Sequence, residues 1–380
     1  MYNILVDENI PYAGEAFSEI GSVRLISGRD ITNDSLKSVD ILIIRSITKI
    51  DEKLLRGTPV KFVGTTTIGL DHIDIEYLRR NNIGFANAPG CNADSVAEYI
   101  FAGLLKTAVK KNTELSEKSI GIIGFGNIGS RIARIAESFG MQTLINDPPL
   151  QRTTGYTFFI SYDQALQADI ITYHVPLNLT GVDKTYHMLS GEKLKKFDGE
   201  KIILNTSRGS VFSNDDLKEF LIKNQNTVIL DVWENEPRVD TDLLNLVSTG
   251  TPHIAGYSFE GKVNGTTMIL NSLCKFLNLK NDWKPVLPGI QNNTLDYPET
   301  DTMEKSLEHL ISQIYSIEQD DKVFRKIVDL EESERGKYFD LLRKNYPKRR
   351  EFTNYTIRIN KSLSREIKIL KALRFRVKTY

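Results

Sequence analysis

The stretch Lys118–Asp147 constrains the fold of this 380-residue chain more than any other. It reads KSIGIIGFGNIGSRIARIAESFGMQTLIND, in which an apolar run leads into GFGNIG and apolar residues then recur at helical spacing. This order predicts a strand, a tight turn and a helix. Gly124 would form the bend, Gly126 would let the backbone approach a pyrophosphate, and Gly129 would let helix and strand pack closely.

A dinucleotide is the ligand that such a turn favours, because the helix N-terminus offers unpaired amides to phosphates. Asp147 follows a second apolar run, 18 residues after Gly129, where it would accept hydrogen bonds from an adenosine ribose. An acid there favours NAD over NADP, since it would repel a 2′-phosphate. Glycine-rich turns also occur as plain structural turns, but strand, helix and acid all lie in the expected order here. We therefore predict a Rossmann-type NAD-binding domain.

The charge of the chain is balanced overall but uneven along it. Lys plus Arg and Asp plus Glu number 49 each, so bulk charge indicates no nucleic-acid or membrane partner. From Lys337 to Tyr380, however, 14 basic residues stand against 3 acidic ones. The tail is thus a basic module on an acidic body.

Two cysteines, Cys91 and Cys274, are too few for a disulfide framework or a metal site of their own. Both lie beside apolar segments, and we expect buried thiols in a reducing compartment. The N-terminus is acidic by Asp7 and does not resemble a signal peptide. No apolar stretch approaches the roughly 20 residues of a membrane span. We expect a cytoplasmic protein with no metal site and no membrane partner.

The first 97 residues alternate short apolar runs with helix-like segments, which predicts an α/β unit with a parallel sheet. Ligands bind at the carboxyl ends of such strands. Three loops therefore matter, namely DEN from Asp7, RSIT from Arg45 and TTTIGLD from Thr65. The hydroxyls and amides of the last two loops suit a carboxylate or phosphate, and Arg45 would add a charge. The same Ser and Thr residues are equally typical of plain turns and helix caps.

The later sequence divides the chain further. Short apolar runs near residues 170–174, 201–205 and 227–230 continue the NAD domain, and a helix over 262–279 would return the chain to the first domain. From Pro285, prolines and glycine mark a linker to three helical patterns and one strand. We predict a discontinuous flavodoxin-like substrate domain (1–97 with 258–284), a Rossmann domain (98–257) and a small C-terminal α/β domain (285–380).

Three residues at apparent strand ends suit oxidation of a secondary alcohol. His253 has the side chain whose charge changes near neutral pH, as a base for a hydroxyl proton requires. Glu236 would orient that ring, and Arg208 would hold a substrate carboxylate bidentately. A lone Arg or Glu after a strand is more often a solvated loop residue, and sequence distance alone does not join the three.

A family resemblance joins them. The segments GFGNIG, HVPLNLTG, ILNTSRGS, LDVWENEP and TPHIAGYS resemble, in order and approximate spacing, the D-2-hydroxyacid dehydrogenase family. The segments ILVDENIPYA, RSITKI, FVGTTTIGLDH and PGCNA, with the tail FDLLRKNYPKRREF, narrow the resemblance to a branch that oxidises a phosphorylated 2-hydroxy acid. That branch is a homodimer through its C-terminal domain.

The resemblance implies a role for each matching position. His253 would be the acid/base, with Glu236 as its carboxylate partner and Arg208 as the carboxylate anchor. Substrate contacts would come from Ser46, Thr67 and Tyr257. Contacts to NAD would come from Gly124, Gly126, Asn127, Ile128, Gly129, Asp147, Val175, Thr206, Ser207, Asp231 and Gly256. Asp231 would accept from the nicotinamide carboxamide. Val175 departs from the threonine that is common in this branch, so a backbone contact there is possible but a hydroxyl contact is not.

Several alternatives stay open at this point. Other dehydrogenases of the family, such as phosphoglycerate dehydrogenase, share the same catalytic residues. The family also includes non-catalytic NAD-sensing corepressor scaffolds. We read most of the tail charge as a solvated face, and we hypothesise that Arg349 or Arg350 reaches across the dimer to the substrate phosphate. Nucleic-acid binding by the tail is disfavoured, because no aromatic residues interleave with a basic stripe.

Overall fold

The computed structural model describes residues 1–380, and every strand pair in it is parallel. The strands are β1 (Tyr2–Asp7), β2 (Gly21–Ile26), β3 (Ile41–Ile44), β4 (Phe62–Thr65), β5 (Gly84–Ala86), β6 (Ser119–Ile123), β7 (Gln142–Asn146), β8 (Ile170–Tyr173), β9 (Ile202–Asn205), β10 (Thr227–Leu230), β11 (Thr249–Gly250), β12 (Thr294–Asp296), β13 (Thr356–Ile359) and β14 (Arg376–Thr379). The helices are α1 (Ala13–Phe17), α2 (Glu52–Leu55), α3 (Ile75–Arg80), α4 (Ala93–Lys111), α5 (Gly129–Phe139), α6 (Pro148–Thr154), α7 (Tyr162–Ala165), α8 (Gly191–Leu194), α9 (Asn214–Lys223), α10 (Thr241–Leu246), α11 (Phe259–Phe276), α12 (Met303–Ser312), α13 (Ile317–Arg325), α14 (Glu332–Lys344) and α15 (Ser364–Ala372).

The chain divides into two compact units, of which the first joins residues 1–92 to residues 258–289. Its five strands follow the order β2-β1-β3-β4-β5, which is the flavodoxin-like order. The apolar runs that predicted β1, β3 and β4 are buried in it, because both faces of a parallel sheet are covered. Helix α11 begins three residues before the predicted Lys262, since the Ser258 hydroxyl accepts from the Gly261 amide at 2.9 Å and caps the helix.

The second unit comprises residues 93–257 and 290–380 and contains the predicted Rossmann-type sheet. Its six strands follow the order β11-β10-β9-β8-β6-β7. From β6 the chain moves to β7 on one side and then returns to β8 on the other, so the strand order reverses at β6. A ligand crevice lies outside the carboxyl ends of the strands at such a reversal. The GFGNIG turn follows β6 directly, which places it at this point.

The C-terminal residues 290–380 form a smaller α/β layer around the sheet β12-β13-β14. Sequence patterns correctly indicated β13 and three of the helices but missed β12, β14 and α13. The missed strands are short and mostly exposed, so they lack an apolar alternation. Residues of this layer share one core with helix α5 of the Rossmann domain, for example Phe352 and Ile357 with Ile132 and Phe139. The three-domain boundaries stay a prediction.

The structure contradicts the hypothesis that Arg349 or Arg350 reaches out to a substrate phosphate. Arg349 is 6% exposed and Arg350 is 8% exposed. The Arg349 guanidinium lies 3.9 Å from the centroid of the Tyr315 ring and donates to the carbonyl of Ser95 at 2.7 Å. It also pairs with the buried Glu98 carboxylate at 3.5 Å. Arg349 is therefore part of the packing of the C-terminal layer and not of a solvent-facing site.

We predict that Arg349→Met destabilises the protein by about 1.5–3 kcal/mol, because the buried Glu98 side chain and the carbonyls of Ser95 and Ala255 lose the charged donor that they share. Urea unfolding followed by circular dichroism measures this change. The matched control is Arg358→Met, since Arg358 is half exposed and pairs with an exposed Asp296. An Arg349→Met variant as stable as the control variant would contradict the structural role.

Candidate active site

A histidine–carboxylate pair lies at the carboxyl end of the Rossmann sheet, in the segments that follow β10 and β11. The His253 Nδ1 is 2.8 Å from Glu236 Oε2. Glu236 Oε1 accepts in turn from the Trp233 amide at 2.8 Å. With Nδ1 donating to the carboxylate, the neutral ring presents its lone pair at Nε2. The ring is 30% exposed, so that nitrogen is available to a ligand hydroxyl.

The electrostatics of the pair favour an ionised Glu236. Burial tends to raise the pKa of Glu236, but the charge and hydrogen bond of His253, the Trp233 amide and the charge of Arg343 together lower it. A carboxylate that stays ionised both orients the imidazole and stabilises its protonated form. The pair thus has the parts of a general base and its orienting acid.

The loop that carries His253 is held by the buried carboxylate of Asp231. Its Oδ1 accepts from the Thr251 hydroxyl and the Ile254 amide, each at 2.7 Å, and its Oδ2 accepts from the Ala255 amide at 2.9 Å. His253 itself has φ 57°, a left-handed conformation that costs energy outside glycine. Burial raises the pKa of Asp231, although His253 and these donors oppose the shift. The predicted contact of Asp231 with nicotinamide stays a prediction beside this structural role.

Arg208 lies at the same edge of the sheet, because β9 pairs with β10. The buried Asn205 side chain shapes its loop, accepting from the Ser207 amide at 3.0 Å and donating to the Arg208 carbonyl at 2.9 Å. Thr206 between them has a buried hydroxyl with no partner. A buried orphan hydroxyl next to a ligand crevice suits a hydrogen bond to a cofactor.

The turn Gly124–Gly129 requires glycine at two of its positions for steric reasons, as the sequence pattern predicts. Gly124 has φ 93°, and a Cβ on it would lie 2.5 Å from the His174 carbonyl oxygen. A Cβ on Gly129 would lie 2.0 Å from the Gly124 carbonyl oxygen, whereas one on Gly126 meets nothing within 4 Å. The backbone at Gly126 is thus open on the side that a Cβ would occupy. Helix α5 begins here without a side-chain cap, which leaves its N-terminal amides to a ligand.

Asp147 is tied to the same turn. One carboxylate oxygen accepts from the Phe125 amide at 2.8 Å and the other from the Leu150 amide at 2.9 Å, where it caps α6. Each oxygen keeps a second lone pair, so its contact with the ribose stays a prediction. Val175 and Gly256 are partly exposed in the loops after β8 and β11.

Two predicted substrate residues, Ser46 and Thr67, belong to the first unit and are not among those that the second unit brings together. Ser46 is exposed, and the Thr67 hydroxyl is 2.8 Å from that of Thr65. Arg45 beside them pairs with Asp7 at 3.0 Å, across the point where the strand order reverses between β1 and β3. Its charge is therefore already neutralised by a carboxylate.

Sequence reasoning missed several residues around Tyr257, the remaining predicted substrate contact. Tyr346 meets the Tyr257 ring edge-on at a centroid distance of 6.0 Å, and the Arg343 guanidinium carbon lies 5.4 Å from the centroid of the same ring.

Sequence reasoning also missed a second histidine–carboxylate pair, in which His187 Nε2 lies 2.6 Å from Glu234. These partners come from distant segments, so spacing gives no signal for them. The structure contains no cluster of three His, Cys, Asp or Glu side chains suited to a metal ion.

Known families match the two main parts of the second unit. The NAD-binding domain of the D-isomer-specific 2-hydroxyacid dehydrogenases matches residues 95–255. A domain of unknown function matches residues 286–373. Helices long and apolar enough to cross a membrane are absent.

Curated relatives match almost end to end. Erythronate-4-phosphate dehydrogenase of Photorhabdus laumondii is 41% identical over 379 residues, covering 98% of each chain. The enzyme of the same name from Marinobacter nauticus is 39% identical over 381 residues, covering 99% of each chain. This chain belongs to the erythronate-4-phosphate dehydrogenase family.

Solved structures of related dehydrogenases have a similar fold. The D-lactate dehydrogenase of Aquifex aeolicus, complexed with NAD and lactic acid, matches with a TM-score of 0.60 and 25% identity over 73% of this chain and 95% of that chain. The NAD-bound 3-phosphoglycerate dehydrogenase of Entamoeba histolytica matches with a TM-score of 0.62 and 25% identity over 75% and 99% of the respective chains. The chain is an NAD-dependent dehydrogenase with an additional C-terminal α/β domain.

The second and third glycines of the turn, Gly126 and Gly129, should show different defects when each is replaced by alanine. Gly129→Ala should destabilise the fold by about 1–3 kcal/mol, because its Cβ has no room against the Gly124 carbonyl. Gly126→Ala should leave stability unchanged and weaken NADH binding, since its Cβ projects into the open side of the turn. Thermal unfolding and fluorescence titration with NADH measure the two effects. Equal stability losses in both variants would contradict the assignment.

Proposed function

We propose that this dehydrogenase oxidises 4-phospho-D-erythronate at C2 with NAD, giving (3R)-3-hydroxy-2-oxo-4-phosphooxybutanoate. The reaction would be a step in a bacterial route to pyridoxal 5′-phosphate. The observation that carries the proposal is the His253–Glu236 pair at 2.8 Å in a chain that matches erythronate-4-phosphate dehydrogenases over nearly its full length.

His253 takes the hydroxyl proton in this proposal. Its Nε2 faces away from Glu236, since Nδ1 donates to that carboxylate. As the proton arrives, the ring becomes a cation beside the ionised Glu236, which stabilises it. In the reverse direction the same ring returns the proton to the ketone oxygen.

Arg208 holds the substrate carboxylate. A guanidinium matches a carboxylate with two parallel hydrogen bonds, which orients the C2 carbon as well as binding it. Ser46, Thr67 and Tyr257 are the further substrate contacts that we propose. Their polar groups would receive the remaining hydroxyls of the sugar acid.

The residues around the glycine turn would hold NAD, which when bound accepts a hydride. The open backbone at Gly126 and the amides of Asn127 and Ile128 suit the pyrophosphate. Asp147 suits the ribose, while the orphan hydroxyl of Thr206 and the neighbouring Ser207 suit the nicotinamide half. Gly256, Asp231 and a backbone contact at Val175 complete the proposed set.

The proposed assembly is a homodimer through the C-terminal domain, and the resemblance of the tail supports it. The proposed location is the cytoplasm. Cys91 and Cys274 are both free and buried, which confirms the expectation of buried thiols and suits a reducing compartment.

The purified protein tests the substrate directly. We expect NADH formation from 4-phospho-D-erythronate with a kcat/KM well above that for 3-phosphoglycerate or D-lactate. Absorbance at the NADH band measures each rate under the same conditions. A preference for 3-phosphoglycerate would favour the phosphoglycerate dehydrogenase alternative, and no turnover of any 2-hydroxy acid would favour a non-catalytic NAD-sensing scaffold.

His253→Ala tests the base. We expect turnover to fall by about 10²–10⁴-fold, the usual contribution of a general base, with NADH affinity nearly unchanged. The matched control is His309→Ala, because His309 is exposed on α12. Turnover of the His253→Ala variant near that of the control would refute the assignment.

A further inference from the structure

A phosphorylated 2-hydroxy acid carries two anionic groups, and the proposed site assigns a cation to only one of them. Arg208 is the partner for the carboxylate. Arg349 and Arg350 are buried in the C-terminal layer, and Arg45 pairs with Asp7. A dianionic phosphate still requires a positive charge, because hydroxyls and amides alone leave its charge uncompensated.

Arg343 is a cation at the proposed site. It lies in the last turn of α14, and its guanidinium carbon is 5.4 Å from the Tyr257 ring centroid and 5.6 Å from that of Phe339. Tyr257 follows His253 by four residues in the same loop, so the C-terminal layer places this charge beside the catalytic segment. Its charge is also one of those that lower the pKa of Glu236, after the larger effects of burial and His253.

The hydrogen bonding of Arg343 is incomplete. Its Nε is buried and has no partner. Arg349 also has a buried Nε without a partner, but its guanidinium pairs with Glu98. Arg325 and Arg374 likewise form ion pairs, with Asp321 at 2.9 Å and Asp94 at 2.6 Å. The carboxylates of Glu236, Asp231 and Asp340 act on the charge of Arg343 without forming an ion pair with it, so its guanidinium can still meet an added anion. The residue as a whole keeps some exposure, so a ligand can reach part of it.

We propose that Arg343 binds the phosphate of the substrate and so makes the enzyme specific for phosphorylated acids. The proposal rests on the proposed function, since it assumes a phosphorylated substrate. A guanidinium presents parallel N–H groups that match phosphate oxygens bidentately, which a lysine does not. The stacking of Arg343 beside Tyr257 holds the fork in place before the ligand arrives.

The test compares Arg343→Met and Arg343→Lys with wild type on 4-phospho-D-erythronate and on unphosphorylated D-erythronate. Arg343→Met should raise KM for the phosphorylated acid by about 10- to 100-fold, the range for a lost charged hydrogen bond. Its kcat/KM for D-erythronate should fall much less, because that acid has no phosphate, so the ratio of the kcat/KM values for the two acids should drop. Arg343→Lys should show a smaller loss, confined to the phosphorylated acid, because it keeps the charge without the fork.

Arg335→Met is the matched control, since Arg335 lies on the same helix and donates to the Leu330 carbonyl and the Thr241 hydroxyl. It should leave the ratio of the two substrates unchanged. Equal losses on both substrates in the Arg343 variants, or no loss on either, would overturn the proposal. If Arg343→Met does not fold, the selectivity of Arg343→Lys decides in the same way.

Calorimetric titration of the NAD-loaded protein with inorganic phosphate gives a second readout that does not depend on turnover. Wild type should bind phosphate, and both Arg343 variants should bind it at least about tenfold more weakly. Unchanged phosphate affinity in Arg343→Met would overturn the proposal. A wild-type protein that turns over no 2-hydroxy acid would instead refute the proposed function, so the two failures are distinguishable.

Discussion

The carboxylate of Asp231 is the interaction on which the proposed catalytic loop depends. It is 1% exposed, and burying a carboxylate is costly unless hydrogen bonds replace its water. Three donors from Thr251, Ile254 and Ala255 do so. Its main-chain carbonyl also accepts from the His253 amide at 2.7 Å. The carboxylate and the main-chain carbonyl of Asp231 therefore both hold the segment that follows β11. This segment includes His253 in its left-handed conformation.

This local network extends into the core of the second unit. The Thr251 hydroxyl that donates to Asp231 is also 2.7 Å from the Tyr99 hydroxyl on α4, and the Thr251 carbonyl accepts from the Trp233 indole at 2.9 Å. Tyr99 is fully buried. The loop is thus anchored to α4, and such support would hold the geometry of the proposed catalytic histidine on an irregular segment. Glu236, held by the Trp233 amide, shares the same support.

Sequence patterns predicted the features of the fold that depend on residues close together in the chain. Buried parallel strands appear as short apolar runs, and the glycines of GFGNIG occupy positions where a Cβ would collide or where open space is needed. The structural role of Asp231 was not predictable in this way, because its donors lie about 20 residues further along the chain. Strands β12 and β14 were missed because exposed, polar strands carry no periodic signal.

The basic tail shows most clearly why composition does not determine function. Its excess of positive charge suggested one surface, yet its arginines have different environments. Arg349 is buried against Glu98, Arg358 is half exposed beside Asp296, and Arg374 pairs with Asp94. A count of charges treats these arginines alike, although they differ in burial and in the carboxylates that they contact. Once the paired arginines are set aside, Arg343 is distinguished by a buried nitrogen without a partner and by its place beside the loop of His253. If Arg343 has the role that we propose, the C-terminal layer contributes to substrate binding as well as to packing.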